Sequence, residues 1–276
     1  LVTTAQQIEE RTMIRAFALR PLAFTGALAA AAMLAACGGE PAKPASNFTP
    51  VPVTPVIGDV PIGSADAPLE IVEYAALTCH VCRDFAKQIF PRLKATYIDT
   101  GKVRYIYRDY PLEAGPDGKA TDGFGVVLAS VARCEGAEKF HTMIDAIFTA
   151  QADLLDAARE GKALPVLAEV AAANGITLDE MRTCIDHQPE LRASIKKSHD
   201  DAFLNPDPNM KISGTPTFFL NGEKVENRGW DYMVAAIEAK LAGKPIPTEI
   251  EAPPAEATPT TTPAAPAAPA PTPPAQ

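Results

Sequence analysis

Ala76-Leu77-Thr78-Cys79-His80-Val81-Cys82-Arg83-Asp84-Phe85 is the stretch on which the reading of this chain turns. Ahead of it, Leu69-Glu70-Ile71-Val72-Glu73-Tyr74-Ala75 is a short apolar, β-branched run that reads as a buried strand. Behind it, Cys82, Phe85, Ile89, Leu93 and Tyr97 recur at helical spacing, so the second cysteine already lies on a helix. A Cys-x-x-Cys at a strand-to-helix junction puts Cys79 at the helix N-terminus, where free N–H groups and the macrodipole favour an anion. A protonated His80 beside it would favour the thiolate further. Cys79 is therefore expected to be the acidic nucleophile, in the range of about 3.5 to 7 that such settings produce. Cys82, one turn inside the helix, is expected to be the buried resolving thiol. The alternatives are a zinc site or two inert core cysteines. Zinc needs two more ligands at sensible spacing, and the sequence offers no second Cys-x-x-Cys or His-x-His cluster. His80 is too close to both cysteines to share one ion with them easily, so no metal is assigned.

Working outward, Glu73 interrupts the strand six residues before Cys79. If Val72 and Tyr74 share one face, Glu73 points to the other. A carboxyl near a buried thiol pair can relay the resolving cysteine's proton, and desolvation would raise its pKa. Glu70, nearer the start of the strand, reads as solvated. The helix after Cys82 should kink at Pro91, which lacks a backbone donor, and end at Gly101. Val103 to Tyr110 then alternates as a strand that Pro111 stops, which completes a βαβ unit. From about Thr121 to Leu204 the pattern turns helical. Val126, Val127 and Val131 begin one apolar stripe, and Phe140, Met143, Ile144, Ile147 and Phe148 form another. Leu164, Leu167, Val170 and Ala171 make a third, while Leu178, Met181 and Ile185 mark a short helix capped by Thr177. These stripes read as core, and no cofactor is assigned.

Ser213-Gly214-Thr215-Pro216-Thr217-Phe218-Phe219-Leu220-Asn221-Gly222 is the second informative stretch. Phe218 to Leu220 reads as a strand, Asn221-Gly222 as a hairpin turn, and Lys224 to Asn227 as the return. Proline at the start of a strand can hold a cis bond. Trp230-Asp231-Tyr232 opens a closing helix with Met233, Val234, Ile237 and Leu241 on its apolar face.

The whole order resembles the DsbA-type thiol–disulfide oxidoreductases of the thioredoxin superfamily, over roughly Val56 to Leu241. It runs strand, Cys79-His80-Val81-Cys82 helix, strand, helical insert, then a Gly214-Thr215-Pro216-Thr217-Phe218 hairpin and a helix. The resemblance implies an α/β thioredoxin fold over 56–244, with a helical insertion subdomain at about 115–205. It implies Cys79 as nucleophile, Cys82 as resolving thiol, Glu73 as buried acid, and Thr215 ahead of a cis Pro216, where the backbone pairs with substrate. His80-Val81 departs from the Pro-His of the best-known oxidase, and Thr215 stands where valine is common there. Both positions tune redox behaviour.

The chain has 276 residues and a formal charge of −9, without the basic footprint of a nucleic-acid partner. Its ends do not look like folded domains, which leaves one domain of ordinary size. Met13 to Arg20 is a short basic region, with residues 1–12 ahead of a plausible initiator. Pro21 to Ala36 is uncharged and rich in Ala and Leu, so 1–36 reads as a signal region. Leu34-Ala35-Ala36-Cys37-Gly38 resembles the bacterial lipobox, which implies cleavage before Cys37, lipid on its sulfur, and export. A plain secretory signal with Cys37 incidental is the alternative. Residues 37–55 read as a Pro/Ala-rich tether reaching about 50 Å at about 3.1 Å per residue. Residues 245–276 read as a disordered Pro/Ala/Thr-rich tail.

Five cysteines leave Cys134 and Cys184 to be explained. In an exported chain they favour a structural disulfide over two buried free thiols. The expected function is a cell-envelope, periplasmic dithiol oxidase held to a membrane by its lipid. It would introduce disulfides into exported clients with free thiols and be reoxidised by a quinone-linked membrane partner, as the resemblance implies. A reductase or isomerase kept reduced by a membrane donor is the alternative, and a tethered chaperone or binding module a further one.

Overall fold

The computed structural model describes residues 48–225 and 228–248. The signal region, Cys37, most of the tether, Glu226, Asn227 and the tail beyond 248 lie outside the described residues. Five strands form one sheet: β1 (Pro61–Ile62), β2 (Leu69–Ala75), β3 (Val103–Asp109), β4 (Thr217–Leu220) and β5 (Glu223–Val225), in the order β1-β3-β2-β4-β5. β2 and β3 run parallel, from Leu69 opposite Val103 to Ala75 opposite Asp109. β4 is antiparallel to β2 and β5 to β4, while β1 is antiparallel to β3. This is the thioredoxin arrangement expected from the sequence.

β2 is covered on both faces, which is why it reads as a near-continuous apolar run. Leu69, Ile71 and Ala75 enter the main core with Leu77, Cys82 and Phe85. Val72 enters a smaller core with Ile106, Tyr110, Ala202, Ile212 and Phe219. Period-two alternation therefore turns Glu73 toward the main core, under the helix that follows.

That helical run, 80–98, is continuous but not regular. α1 (His80–Asp84) and α2 (Phe90–Leu93) each lead into a five-residue π-helical turn, Phe85–Ile89 and Lys94–Ile98. Pro91 has no N–H to give to the turn before it. The chain responds by widening, so that the Phe90 N–H reaches back five residues to the Phe85 carbonyl. The expected disturbance at Pro91 thus takes the form of π-helical turns on either side of it. Gly101, at φ 76°, ends the run, and the Lys102 N–H donates to the Tyr97 carbonyl at 2.9 Å.

The helical region between β3 and β4 holds α3 (Phe124–Ala132), α4 (Gly136–Thr149), α5 (Gln151–Arg159), α6 (Ala163–Ala173), α7 (Leu178–Asp186) and α8 (Pro189–Phe203). The four apolar stripes correspond to α3, α4, α6 and α7; α5 and α8 have no counterpart among them. Thr177 caps α7, as the sequence suggests, and the structure adds a reciprocal bond from Glu180 that completes a capping box. Cys134, just after α3, and Cys184 in α7 are joined as a disulfide with Cα atoms 5.6 Å apart.

Asp109 at the end of β3 and Arg133 just after α3 form a buried ion pair at 2.6 Å. Arg133 also donates to the Gly58 carbonyl at 2.7 Å, tying the approach to β1 onto the insert. The main chain at residues 49–55, read as tether from the sequence, already engages this domain. The Val51 N–H donates to Thr183 Oγ1 at 3.1 Å, and Val53 packs on the core. At the other end, α9 (Trp230–Leu241) buries Tyr232, Met233, Ala236 and Ile237, and the Tyr232 hydroxyl donates to the Pro247 carbonyl at 2.7 Å. The β4–β5 turn uses Asn221 at φ 47° and Gly222 at φ 79°, the left-handed pair that suits a two-residue hairpin. The Asn221 Oδ1 also accepts the Glu70 N–H at 2.7 Å, which docks the turn on the start of β2.

Candidate active site

β2 ends at Ala75, and the Ala76 carbonyl accepts the Cys79 N–H at 3.0 Å, turning the chain from strand to helix. Cys79 is the N-cap of α1, with extended backbone, and its Sγ accepts the Cys82 N–H at 3.2 Å. From the far end of the sequence, the Thr215–Pro216 bond is cis, and the Thr215 carbonyl oxygen lies 3.5 Å from Cys79 Sγ. The two stretches that the sequence marks out separately therefore meet. Cys79 and Cys82 are both free thiols.

Burial separates the two sulfurs by less than the sequence suggests. Cys79 keeps 7 % of its surface open and Cys82 none. A nucleophile at a helix N-terminus is expected to be exposed, but Cys79 is nearly buried, with the Thr215 carbonyl of the chain before β4 lying against its sulfur.

Electrostatics separates them widely. The Cys79 thiol is lowered to about 6, chiefly by a hydrogen bond from the Cys82 thiol. Burial opposes this, while the Thr215 side chain and the N–H groups of Cys82 and Val81 reinforce it. The Cys82 thiol is pushed up, first by burial and then by the hydrogen bond it gives to Cys79 and the charge of Glu73. At neutral pH the pair therefore holds one thiolate, at Cys79, and one thiol, at Cys82.

Glu73 is buried, and burial raises its carboxyl to about 8, partly offset by a hydrogen bond from the Tyr105 hydroxyl. The charge of Cys79 raises it further, so Glu73 holds a proton at pH 7 inside the core beneath the thiols. Tyr105 itself is buried, and its hydroxyl is held well above the usual phenol range by desolvation. His80 is solvent-exposed, and the largest influences that lower Cys79 are the Cys82 thiol, the Thr215 side chain and backbone N–H groups.

Two residues of this site escaped sequence reasoning. Tyr105 shares the inward parity of Val103 and Tyr107 in β3, and that alternation is a signal that could have placed it beside Glu73. Gln151, the first residue of α5, is buried, and its Nε2 donates to the carbonyls of Leu77 at 2.7 Å and Cys79 at 3.0 Å. No local pattern announces it.

The Thr215 side chain, one of the groups that lower Cys79, yields a direct expectation. Thr215→Val keeps the shape and removes the hydroxyl, so Cys79 should ionise at a pH higher by about one, a tenfold weaker acid. Thiolate absorbance followed through a pH titration reads this, and an unmoved curve would show that the Thr215 hydroxyl does not support the thiolate.

A family model described as "Thioredoxin" matches residues 56–239. The chain is 29% identical over 183 residues to a protein of Rickettsia bellii (strain RML369-C) named "Putative protein-disulfide oxidoreductase", covering 66% of this chain and 64% of that relative. It thus spans just under two thirds of that relative's length. It is 25% identical over 193 residues to "Disulfide bond formation protein D" of Bacillus subtilis (strain 168), covering 68% of this chain and 79% of that one. Among solved structures, the crystal structure of Wolbachia pipientis alpha-DsbA1 aligns with a TM-score of 0.57 at 27% identity, over 68% of this chain and 93% of that chain.

Proposed function

This chain belongs to the thioredoxin family, and on that premise we propose that it is a thiol–disulfide oxidoreductase acting through Cys79 and Cys82, in the direction of client oxidation. The observation that carries the reading is the division of labour between the two sulfurs. Cys79, the more open one, is lowered to about 6, while Cys82, fully buried, is raised.

In the forward reaction a client thiolate attacks Cys79 Sγ of the Cys79–Cys82 disulfide. The client–Cys79 bond forms, the Cys79–Cys82 bond breaks, and Cys82 leaves as a thiolate. Because Cys82 is a weak acid, it takes a proton at once, and buried Glu73 is the group placed to relay it. The client's second thiolate then attacks the client sulfur of the mixed disulfide. Cys79 departs as a thiolate, and the client leaves with its disulfide and two electrons fewer. A stabilised Cys79 thiolate is a good leaving group and favours the reduced enzyme over its disulfide.

The next turnover needs a two-electron acceptor. By analogy with the family, this is a quinone-linked membrane partner. The uncharged run Pro21 to Ala36 ending at Cys37 supports export and lipid anchoring. The clients would then be exported proteins with free thiols, met in the cell envelope. Trapping free thiols with an alkylating reagent in intact cells tests the direction. An oxidase holds Cys79 and Cys82 mostly as a disulfide, whereas a pair found mostly reduced would mark a reductase or isomerase.

The thiolate also makes a pH prediction. An acid whose pKa is lowered by folding adds stability above its unfolded value of about 8.5 and loses it as pH falls through the folded value. For Cys79, lowered to about 6, this contribution exists only in the reduced form. It amounts to about 1 kcal/mol at pH 7 and almost nothing at pH 5. Denaturant titrations of reduced and oxidised protein should therefore show the reduced form gaining about 1 kcal/mol on the oxidised one from pH 5 to pH 7. A gap that does not change with pH would remove the stabilised thiolate from the account.

A further inference from the structure

We propose that Gln151 is a positioning residue for disulfide exchange, holding the Cys79 loop in its reactive geometry from the helical insert; the inference rests on the redox reading of Cys79 and Cys82. Gln151 has 1 % of its surface open and lies at the junction of α4 and α5, more than seventy residues from the loop it touches. Both atoms facing its amide are carbonyl oxygens, of Leu77 and Cys79. Only an NH2 group can satisfy both, which fixes the amide's orientation.

The geometry fits a constraint on the loop rather than simple packing. The Cys79 carbonyl already accepts the Arg83 N–H at 3.1 Å, the first hydrogen bond of the helix. The Gln151 donor is a second bond to the same oxygen, and its other bond holds the peptide two residues upstream. Together they pin both sides of Thr78, and with it the extended N-cap backbone that brings the Cys82 N–H to Cys79 Sγ. The bond to Cys79 also draws electron density from the carbonyl of the residue that carries the reacting sulfur. The other end of the amide, Oε1, is buried without a hydrogen-bond partner. A side chain there only to fill space would avoid that desolvation cost by being apolar. The amide is explained by what its NH2 group holds.

The test is Gln151→Met, which keeps length and volume and removes both donors. Wild-type and variant protein are equilibrated in glutathione buffers, and the oxidised fraction of Cys79–Cys82 is measured together with the Cys79 ionisation curve. The expected result is a three- to tenfold shift of the exchange equilibrium toward the enzyme disulfide. That is about 15–30 mV more negative, at about 30 mV per tenfold, with Cys79 ionising at higher pH. A folded variant whose potential and ionisation curve overlay the wild type overturns the proposal while leaving the redox reading intact. Wild-type protein that fails to exchange with glutathione overturns both. Should the variant not fold, the wild-type side-chain amide decides. Gln151 NH2 protons protected from solvent, with resonances that move between the oxidised and reduced forms, support the proposal; protons that exchange freely or stay unmoved defeat it.

Discussion

Replacing Cys79 by serine should reduce oxidation of a dithiol client to the uncatalysed rate, a loss on the order of a thousandfold or more. Serine is the informative choice because its oxygen can still cap the helix by accepting the Cys82 N–H, as Cys79 Sγ does at 3.2 Å. Stability should therefore survive while chemistry does not. The hydroxyl is not ionised at neutral pH and cannot enter a disulfide. Cys82 cannot take over, being fully buried and held as a thiol. Its own removal should look different. With Cys82→Ala no enzyme disulfide can form, so dithiol oxidation stops too, but the Cys79 thiolate can still attack a client disulfide. The Cys79–client bond forms, the client S–S bond breaks and one client cysteine leaves as a thiolate. With no Cys82 to displace the client from Cys79, the adduct is retained and visible by mass under non-reducing conditions. Equal turnover in wild-type and Cys79→Ser protein would show that whatever the chain does, it is not disulfide exchange at this helix N-terminus.

The second large effect is on stability. The Cys134–Cys184 disulfide closes a loop with a sequence separation of 50. Loop entropy alone puts its contribution at about 4 kcal/mol as an upper estimate. Folded domains are stable by roughly 5–15 kcal/mol, so the double variant Cys134→Ala with Cys184→Ala should lose a substantial fraction of its stability. Changing both residues avoids a stray thiol that could exchange with Cys79. The denaturant midpoint should fall well below the wild type, and the remaining folded molecules should still exchange disulfides, since neither sulfur belongs to the site. A loss under about 1 kcal/mol would mean that contacts among α3, α4, α7 and α8 hold the insert without it.

These expectations show which parts of the molecule are written locally in the sequence. The β2 run, the Cys79-x-x-Cys82 junction, the Thr177 cap and the Asn221-Gly222 turn all depend on neighbouring residues, and each is found where its pattern lies. Glu73 was legible because strand alternation alone sends it away from Val72 and Tyr74. The helices α5 and α8 were not. α5 buries little beyond Gln151 and Leu154, and α8 buries Leu191, Ile195, His199 and Ala202, where histidine and alanine dilute the apolar stripe. Their helicity depends on what the insert packs against them.

The electrostatics of the site was the least legible part. Adjacency pointed to His80 as a support for the thiolate; His80 is exposed, and the largest influences that lower Cys79 are Cys82, Thr215 and backbone N–H groups, which adjacency did not announce. Tyr105, which bonds Glu73, and Gln151, which holds the Cys79 carbonyl, come from segments 32 and 72 residues away from their partners. Such contacts follow from topology, which a single sequence does not encode position by position. The near-burial of Cys79 is of the same kind, because the chain that covers it arrives from Thr215 and Pro216.

The reduction potential of the Cys79–Cys82 couple bears most directly on the whole account. Thioredoxin, with its cysteine near 7, has a potential of about −270 mV, and DsbA, near 3.5, about −120 mV. A Cys79 thiol at about 6 falls between them, which puts the couple between about −270 and −120 mV. Structural disulfides in secreted proteins lie below about −300 mV, so oxidation of such clients would be downhill. Equilibration with glutathione should give a value less negative than about −270 mV. A potential of about −270 mV or lower would contradict the claim that this site stabilises its reduced form and gives its disulfide away.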